Sequence, residues 1–276
     1  GRGQEALAKL AKFTPKIAYP PKWRDYSSLQ INGDDLVGNV ERANKVENDY
    51  QVGKLGKSVN RDEWLMTPQT VNAYYNPVKN EIVFPAAVLQ PPFFDLTADD
   101  AVNYGAIGAV IGHEIGHAFD DRGRHFDSTG AIRDWWTPRD DQEYRRRVQG
   151  LVDQYNGYTP LPGLRVNGQL TLGENIGDLG GLQVAYRAYT MSRHGKPAPV
   201  IDGLTGDQRF FMGWSQAWRS KEREGYLRQM TLSNPHPPGE YRANGPLSHI
   251  DAFYDAFDVK PGDKLYVEPA RRVRIW

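Results

Sequence analysis

The sequence of 276 residues contains no cysteine. That excludes disulfides, thiolate catalysis and cysteine-ligated metal, so any metal here must be held by histidine and carboxylate. Histidine is itself scarce, with six in the chain. Neither sign of charge is in excess: 34 Lys and Arg face 34 Asp and Glu. Balanced charge gives no electrostatic reason to expect a nucleic acid or an anionic membrane as partner. No run of about twenty apolar residues occurs, so no membrane span is expected. The longest run, Ala106 to Ile111, is broken by glycine. A signal-peptide pattern is missing too, and the first residues, Gly1-Arg2-Gly3, lack a Met. The expectation is a processed, trimmed or recombinant piece, in which localisation signals need not be represented. What remains is 39% hydrophobic, enough for a buried core in one large domain or two modest lobes.

Residues 1–60 are polar and loosely patterned, with a helical stretch at 34–55 carried by Leu36, Val37, Val40, Ala43 and Val46. Two strands are expected at 71–75 and 81–84, joined by the turn 76–80; Pro85 and Pro91-Pro92 end the second. Thr97-Ala98-Asp99-Asp100 starts a helix that runs to about Asp120. Thr137-Pro138 opens another to about Tyr155, and 173–189 forms a third. Thr205 caps a fourth, carrying Trp214 and Trp218. Strands followed by helices predict an α+β fold, a small sheet beside a mainly helical half.

His113-Glu114-Ile115-Gly116-His117 is the pivot. Residues four apart on a helix lie one turn along on the same face, so both imidazoles can share one Zn²⁺. Glu114 can then reach a water on the same metal and take its proton. The plainer reading is two histidines on an ordinary helix. A chance H-E-x-x-H in a chain so poor in His is on the order of one in a hundred, and the motif lies late in an apolar helix, where a buried site belongs.

A hydrolytic zinc usually has three protein ligands. One source is a third His six residues after the second, but that position is Gly123, and His125 comes two residues too late. The other is Glu174 in Gly173-Glu174-Asn175-Ile176-Gly177-Asp178-Leu179-Gly180-Gly181. Glycines within a helix cost about 1 kcal/mol each against Ala, a cost that makes sense where another backbone packs very close. Asp178, one turn on, shares the face of Glu174 and can accept the outer N–H of a zinc-bound His. Asp121, four after His117, is either a second such acceptor or a solvated acid at the helix end.

These residues resemble the neprilysin family of zinc metallopeptidases, over about Trp64 to Trp276. The resemblance is carried by Val71-Asn72-Ala73-Tyr74-Tyr75, Ile82 to Pro85, Leu89 to Phe94, His113 to Asp121, Gly173 to Gly181 and His236 to Arg242. It implies a thermolysin-like catalytic domain at 61–276 that hydrolyses oligopeptides on the amino side of hydrophobic residues, with one zinc per chain. It implies that Asn72 and Ala73 bind substrate backbone from an edge strand, where an extended peptide can add. It also implies that His236 stabilises the oxyanion, that Arg242 holds a substrate carbonyl, and that Asp178 joins the catalytic apparatus. The pocket for the residue after the scissile bond maps to Phe93, Val110 and Trp218. For Tyr74 and Tyr75 we expect core packing, and for His125, His194 and His249 structural roles.

One departure matters. Family members carry a large helical lobe N-terminal to this region, and residues 1–60 are at most its tail and connection. Either the lobe is a separate or lost piece or this is a catalytic domain standing alone, and an open cleft that admits oligopeptides or proteins with weak size selection is expected. Relatives of bacterial type are often exported, so an extracytoplasmic place is expected. The rival expectation is a zinc-stabilised fragment that binds peptides without cutting them.

Overall fold

The computed structural model describes residues 2–276. Its chain order begins with helix α1 (Arg2–Ala11), strand β1 (Thr14–Ala18) and helix α2 (Leu36–Val52). Strands β2 (Tyr74–Asn76) and β3 (Glu81–Pro85) follow, and the rest is mainly helical. The sheet has order β1-β3-β2, β1 parallel and β2 antiparallel to β3. All five residues of β3 are buried, as a central strand with both faces covered requires. The expected α+β architecture is therefore present, with β1 as a third strand that pattern reading did not find. β2 is an edge, but it starts at Tyr74; Asn72 and Ala73 precede it, the Ala73 N–H bonded to the Asn72 side chain at 2.9 Å.

The helix expected from Thr97 to Asp120 is shorter and broken. The capping residue is Asp99, whose carboxylate accepts from the Ala101 N–H; Thr97 instead bonds Asp95. Helix α3 (Asp100–Asn103) passes through a π-helical turn at Tyr104–Gly108 into α4 (Ala109–Gly116), with His117 as the closing residue. Helix α5 (Pro138–Asn156) has the expected Thr137 cap, which forms a capping box with Asp140. Helices α6 (Leu172–Ser192) and α7 (Gly206–Ala217) follow, the latter capped reciprocally by Thr205 and Gln208, with Trp218 just beyond its end. Shorter helices α8 (Glu224–Ser233), α9 (Gly239–Asn244) and α10 (Asp251–Phe257) complete the fold.

Helix α4 divides two cores. Ala109 joins the helical side, with Tyr155, Leu179, Phe210 and Trp214. Ile107 and Val110 join the sheet side, with Ala73, Ile82 and Phe84. α4 and α6 meet main chain to main chain: a Cβ on Gly112 would lie 2.7 Å from the Gly181 carbonyl, and one on Gly181 would lie 2.5 Å from the His113 nitrogen. The glycine-rich run of α6 is therefore what lets a second helix approach the histidine motif.

Candidate active site

His113 is on α4 and His117 closes it, their rings 4.5 Å apart and nearly perpendicular. Glu174, in the first turn of α6, brings Oε2 to 3.2 Å from His113 Nε2 and 3.7 Å from His117 Nε2. The three side chains offer ligand atoms all within 4.8 Å of one another. Each imidazole is held from behind. His113 Nδ1 is 2.8 Å from Asp178 Oδ1, and His117 Nδ1 is 2.7 Å from Asp120 Oδ2. With Nδ1–H donating to a carboxylate, each ring in its neutral form would turn an unprotonated Nε2 toward Glu174. Three electron-pair donors then converge. Such a group is stable only around a positive charge, and a His₂Glu set suits zinc.

The electrostatics express the same demand. Burial opposes charge on His113, yet Asp178 and Glu174 outweigh it and lift the ring to about 10. Burial likewise opposes charge on Glu174, yet His113 and His236 hold its carboxyl well below the usual range. Asp178 is fully buried; Arg242 and His113 together overcome burial and lower its carboxyl. Glu114 behaves differently. Burial raises its carboxyl, His113 and His117 pull it back only in part, and its Oε2 has no partner.

Arg242 on α9 grips Asp178 with both ends of its fork, at 2.9 and 2.6 Å, while its guanidinium lies 3.7 Å from the Trp218 ring centroid. His236 brings Nε2 to 3.0 Å from Glu174 Oε2, with Nδ1 2.9 Å from Asn234 Oδ1. His113, Glu114, His117, Asp120, Glu174, His236 and Arg242 line one cleft of about 830 Å³, together with Asn72, Ala73, Phe93, Val110 and Trp218, and Asp178 lies buried behind it. The Phe93 and Trp218 rings meet edge to face at 6.2 Å. Every residue singled out in the sequence for the site thus lies on this cleft or directly behind its ligands.

The sequence model of Peptidase family M13 matches residues 72–273. This chain belongs to family M13. Among M13 relatives, it is 39% identical to an endothelin-converting enzyme homolog of Locusta migratoria, across 99% of this chain and 38% of that protein. It is 43% identical to human endothelin-converting enzyme 1, across 81% of this chain and 29% of that one. The crystal structure of zinc metalloprotease Zmp1 from Mycobacterium tuberculosis, bound to an inhibitor, superposes with TM-score 0.97 at 58% identity. That match covers 99% of this chain and 42% of Zmp1. The chain therefore spans well under half the length of these M13 proteins.

Of the two readings left open for Asp121, the acceptor behind His117 is not the one seen, and sequence reasoning passed over several other residues. Asp121 does not support His117; the helix has ended by then, helical spacing no longer applies, and Asp120 turns in instead. Asp121 is half-buried with Oδ1 unpartnered. Asn234 sits against the His236 ring, and its Oδ1 accepts the His236 N–H at 2.8 Å; an Asn two positions before the His was the available signal. Tyr226 and Met230 of α8 line the cleft without any motif to mark them. His125 is exposed on a short turn and His249 is buried in the core, so neither competes for the metal.

Proposed function

We propose that this chain is the catalytic region of a zinc endopeptidase that hydrolyses peptides on the amino side of hydrophobic residues, in a thermolysin-like arrangement. The observation that carries the reading is the convergence of His113 Nε2, His117 Nε2 and Glu174 Oε2 beside the unpartnered oxygen of Glu114. His113, His117 and Glu174 would hold one zinc per chain. Zinc bound there supplies Lewis acidity, polarising a peptide carbonyl and acidifying water.

The protein's own groups do the rest. Glu114 takes the proton of the attacking water and passes it to the leaving amine, and burial suits its carboxyl to hold a proton between the two transfers. Asp178 and Asp120 keep Nδ1–H on their imidazoles, so that Nε2 stays free to ligate. His236 donates to the developing oxyanion, which is worth ~2.7–4 kcal/mol of barrier. Arg242, anchored on Asp178, directs its remaining donors to a substrate carbonyl. The substrate strand lies along the free edge of β2, its backbone held by Asn72 and Ala73. The side chain after the scissile bond enters the space between Phe93, Val110 and Trp218.

We read 61–276 as the catalytic domain and 1–60 as its connection to a helical lobe, although β1 of that segment pairs with β3. No helix among the described residues is long and apolar enough to cross a membrane, and the family resemblance favours a place outside the cytoplasm. The test is a fluorogenic peptide assay with a cleavage map and metal analysis. We expect chelator-sensitive cleavage before hydrophobic residues, one zinc per chain, and a Glu114→Gln variant that keeps zinc but loses turnover. Peptide binding without cleavage by the zinc-loaded chain would favour the non-catalytic fragment. Substantial activity in Glu114→Gln would remove Glu114 as the base.

A further inference from the structure

An ammonium group is costly to bury, and lysine side chains ordinarily reach solvent. Lys9 of α1 is 0% exposed. Its three N–H donors are matched one to one by backbone carbonyls: Ala118 at 2.7 Å, Gly123 at 2.8 Å and Phe126 at 2.7 Å. All three acceptors lie in the turn that leaves α4 just after His117. The ammonium also sits 5.6 Å from the ring centroid of Phe119 in that turn, and 5.7 Å from that of Tyr75 in β2. Burial pushes Lys9 down to about 8, against the pull of Asp120 and Asp127. A neutral amine has two N–H groups and would leave one carbonyl unmatched, so the cage fits the charged form.

The same turn carries Asp120. Its Oδ2 faces His117 Nδ1, while its Oδ1 accepts from the N–H groups of Arg122 at 2.8 Å and Gly123 at 2.6 Å. Gly123 is therefore shared: its N–H fixes Asp120, and its carbonyl is held by Lys9. We propose that Lys9 is a positioning residue for the metal site, cross-linking the 118–126 turn so that Asp120 sets the orientation of His117. It acts from the segment that sequence reading treats as a connection. What His117 holds rests on the zinc reading above; the hydrogen-bonded path from Lys9 to His117 does not.

The test is zinc affinity, measured by competition with a chromophoric chelator on the full chain. Lys9→Met keeps the length of the side chain and removes charge and donors. It should weaken zinc binding 10–100-fold, as loss of support behind a ligand does elsewhere. Lys16→Met is the control: it breaks the 2.6 Å pair with Glu81 on the neighbouring strand and should lower the melting temperature with zinc affinity unchanged. Equal loss of affinity in both variants, or none in Lys9→Met, overturns the proposal. Hydrogen exchange of the unaltered chain provides the check should Lys9→Met not fold. Added zinc should protect both 118–126 and the α1 amides around Lys9, and protection confined to 118–126 overturns it. Both readouts use no peptide, so a chain that binds zinc but cuts nothing sinks the peptidase reading and leaves this one standing.

Discussion

Gly181→Ala probes the contact that brings the two ligand-bearing helices together. The added Cβ would lie 2.5 Å from the His113 nitrogen and 2.6 Å from the Ala109 carbonyl oxygen, both main-chain atoms that no rotamer change can move. Carbon contacts are comfortable at about 3.5–4.0 Å, so α4 and α6 must part by roughly 1 Å. Overpacking of this kind costs about 1–3 kcal/mol, and with backbone on both sides we expect the upper end. Ala in place of a helical Gly returns about 1 kcal/mol. The net loss is about 2 kcal/mol, which for a chain of this size lowers the melting temperature by about 4–8 °C. Zinc affinity should fall at least tenfold, because the displaced backbone carries a ligand. Gly225→Ala, in α8 with nothing within 4 Å of its Cβ, is the counterpart and should gain up to about 1 kcal/mol. Thermal melts of the metal-free variants and chelator competition decide the matter. A Gly181→Ala chain as stable as the wild type, with undiminished zinc affinity, would refute the claim that main-chain contact sets the ligand spacing.

Asp178→Asn leaves Arg242 buried without its charge partner, so urea unfolding should show a loss of about 3 kcal/mol and chelator competition a 10–100-fold weaker zinc site; no change in either would leave Asp178 without its positioning role. His249 is buried, accepts from the Val273 N–H at 3.2 Å and faces Gln154 at 2.9 Å; burial, with Arg272 and Arg274 nearby, lowers it to about 4. The unfolded chain binds that proton first, so this contribution is full above about pH 6.5 and fades toward pH 4, by about 3 kcal/mol. Urea midpoints at pH 7 and 4.5 on the metal-free chain should converge in His249→Asn, and an unchanged slope would clear His249 of the effect. Chelation should lower the melting temperature and zinc, not magnesium, should restore it, since free zinc at a hundred times its Kd stabilises by about 2.7 kcal/mol.

What could be read from the sequence was local or fixed by helical spacing. The H-E-x-x-H interval put both imidazoles on one face, the Thr137 and Thr205 caps marked helix starts, and the glycines around Glu174 announced a close approach. The rest depended on distant partners. β1 has only five residues and is defined by pairing with β3, more than sixty positions away, which a window along the chain does not register. The π-helical turn at Tyr104–Gly108 lies where the carbonyl of Phe210 comes within 1.9 Å of where a Cβ on Gly105 would stand, a contact made by α7. Asp120 was overlooked because helix geometry was carried past the true end of α4. Lys9 left no trace because its partners are backbone carbonyls, which have no sequence signature.

Helix α8 forms one side of the cleft through Tyr226 and Met230, yet Thr231 is its one buried residue. The metal-site residues His113 and Glu174 stand instead on two helices seated backbone on backbone. A lightly anchored helix is the part of the cleft wall that yields most readily to a guest. The ligand triad can thus keep its dimensions while bulky or slender side chains are accommodated at Tyr226 and Met230.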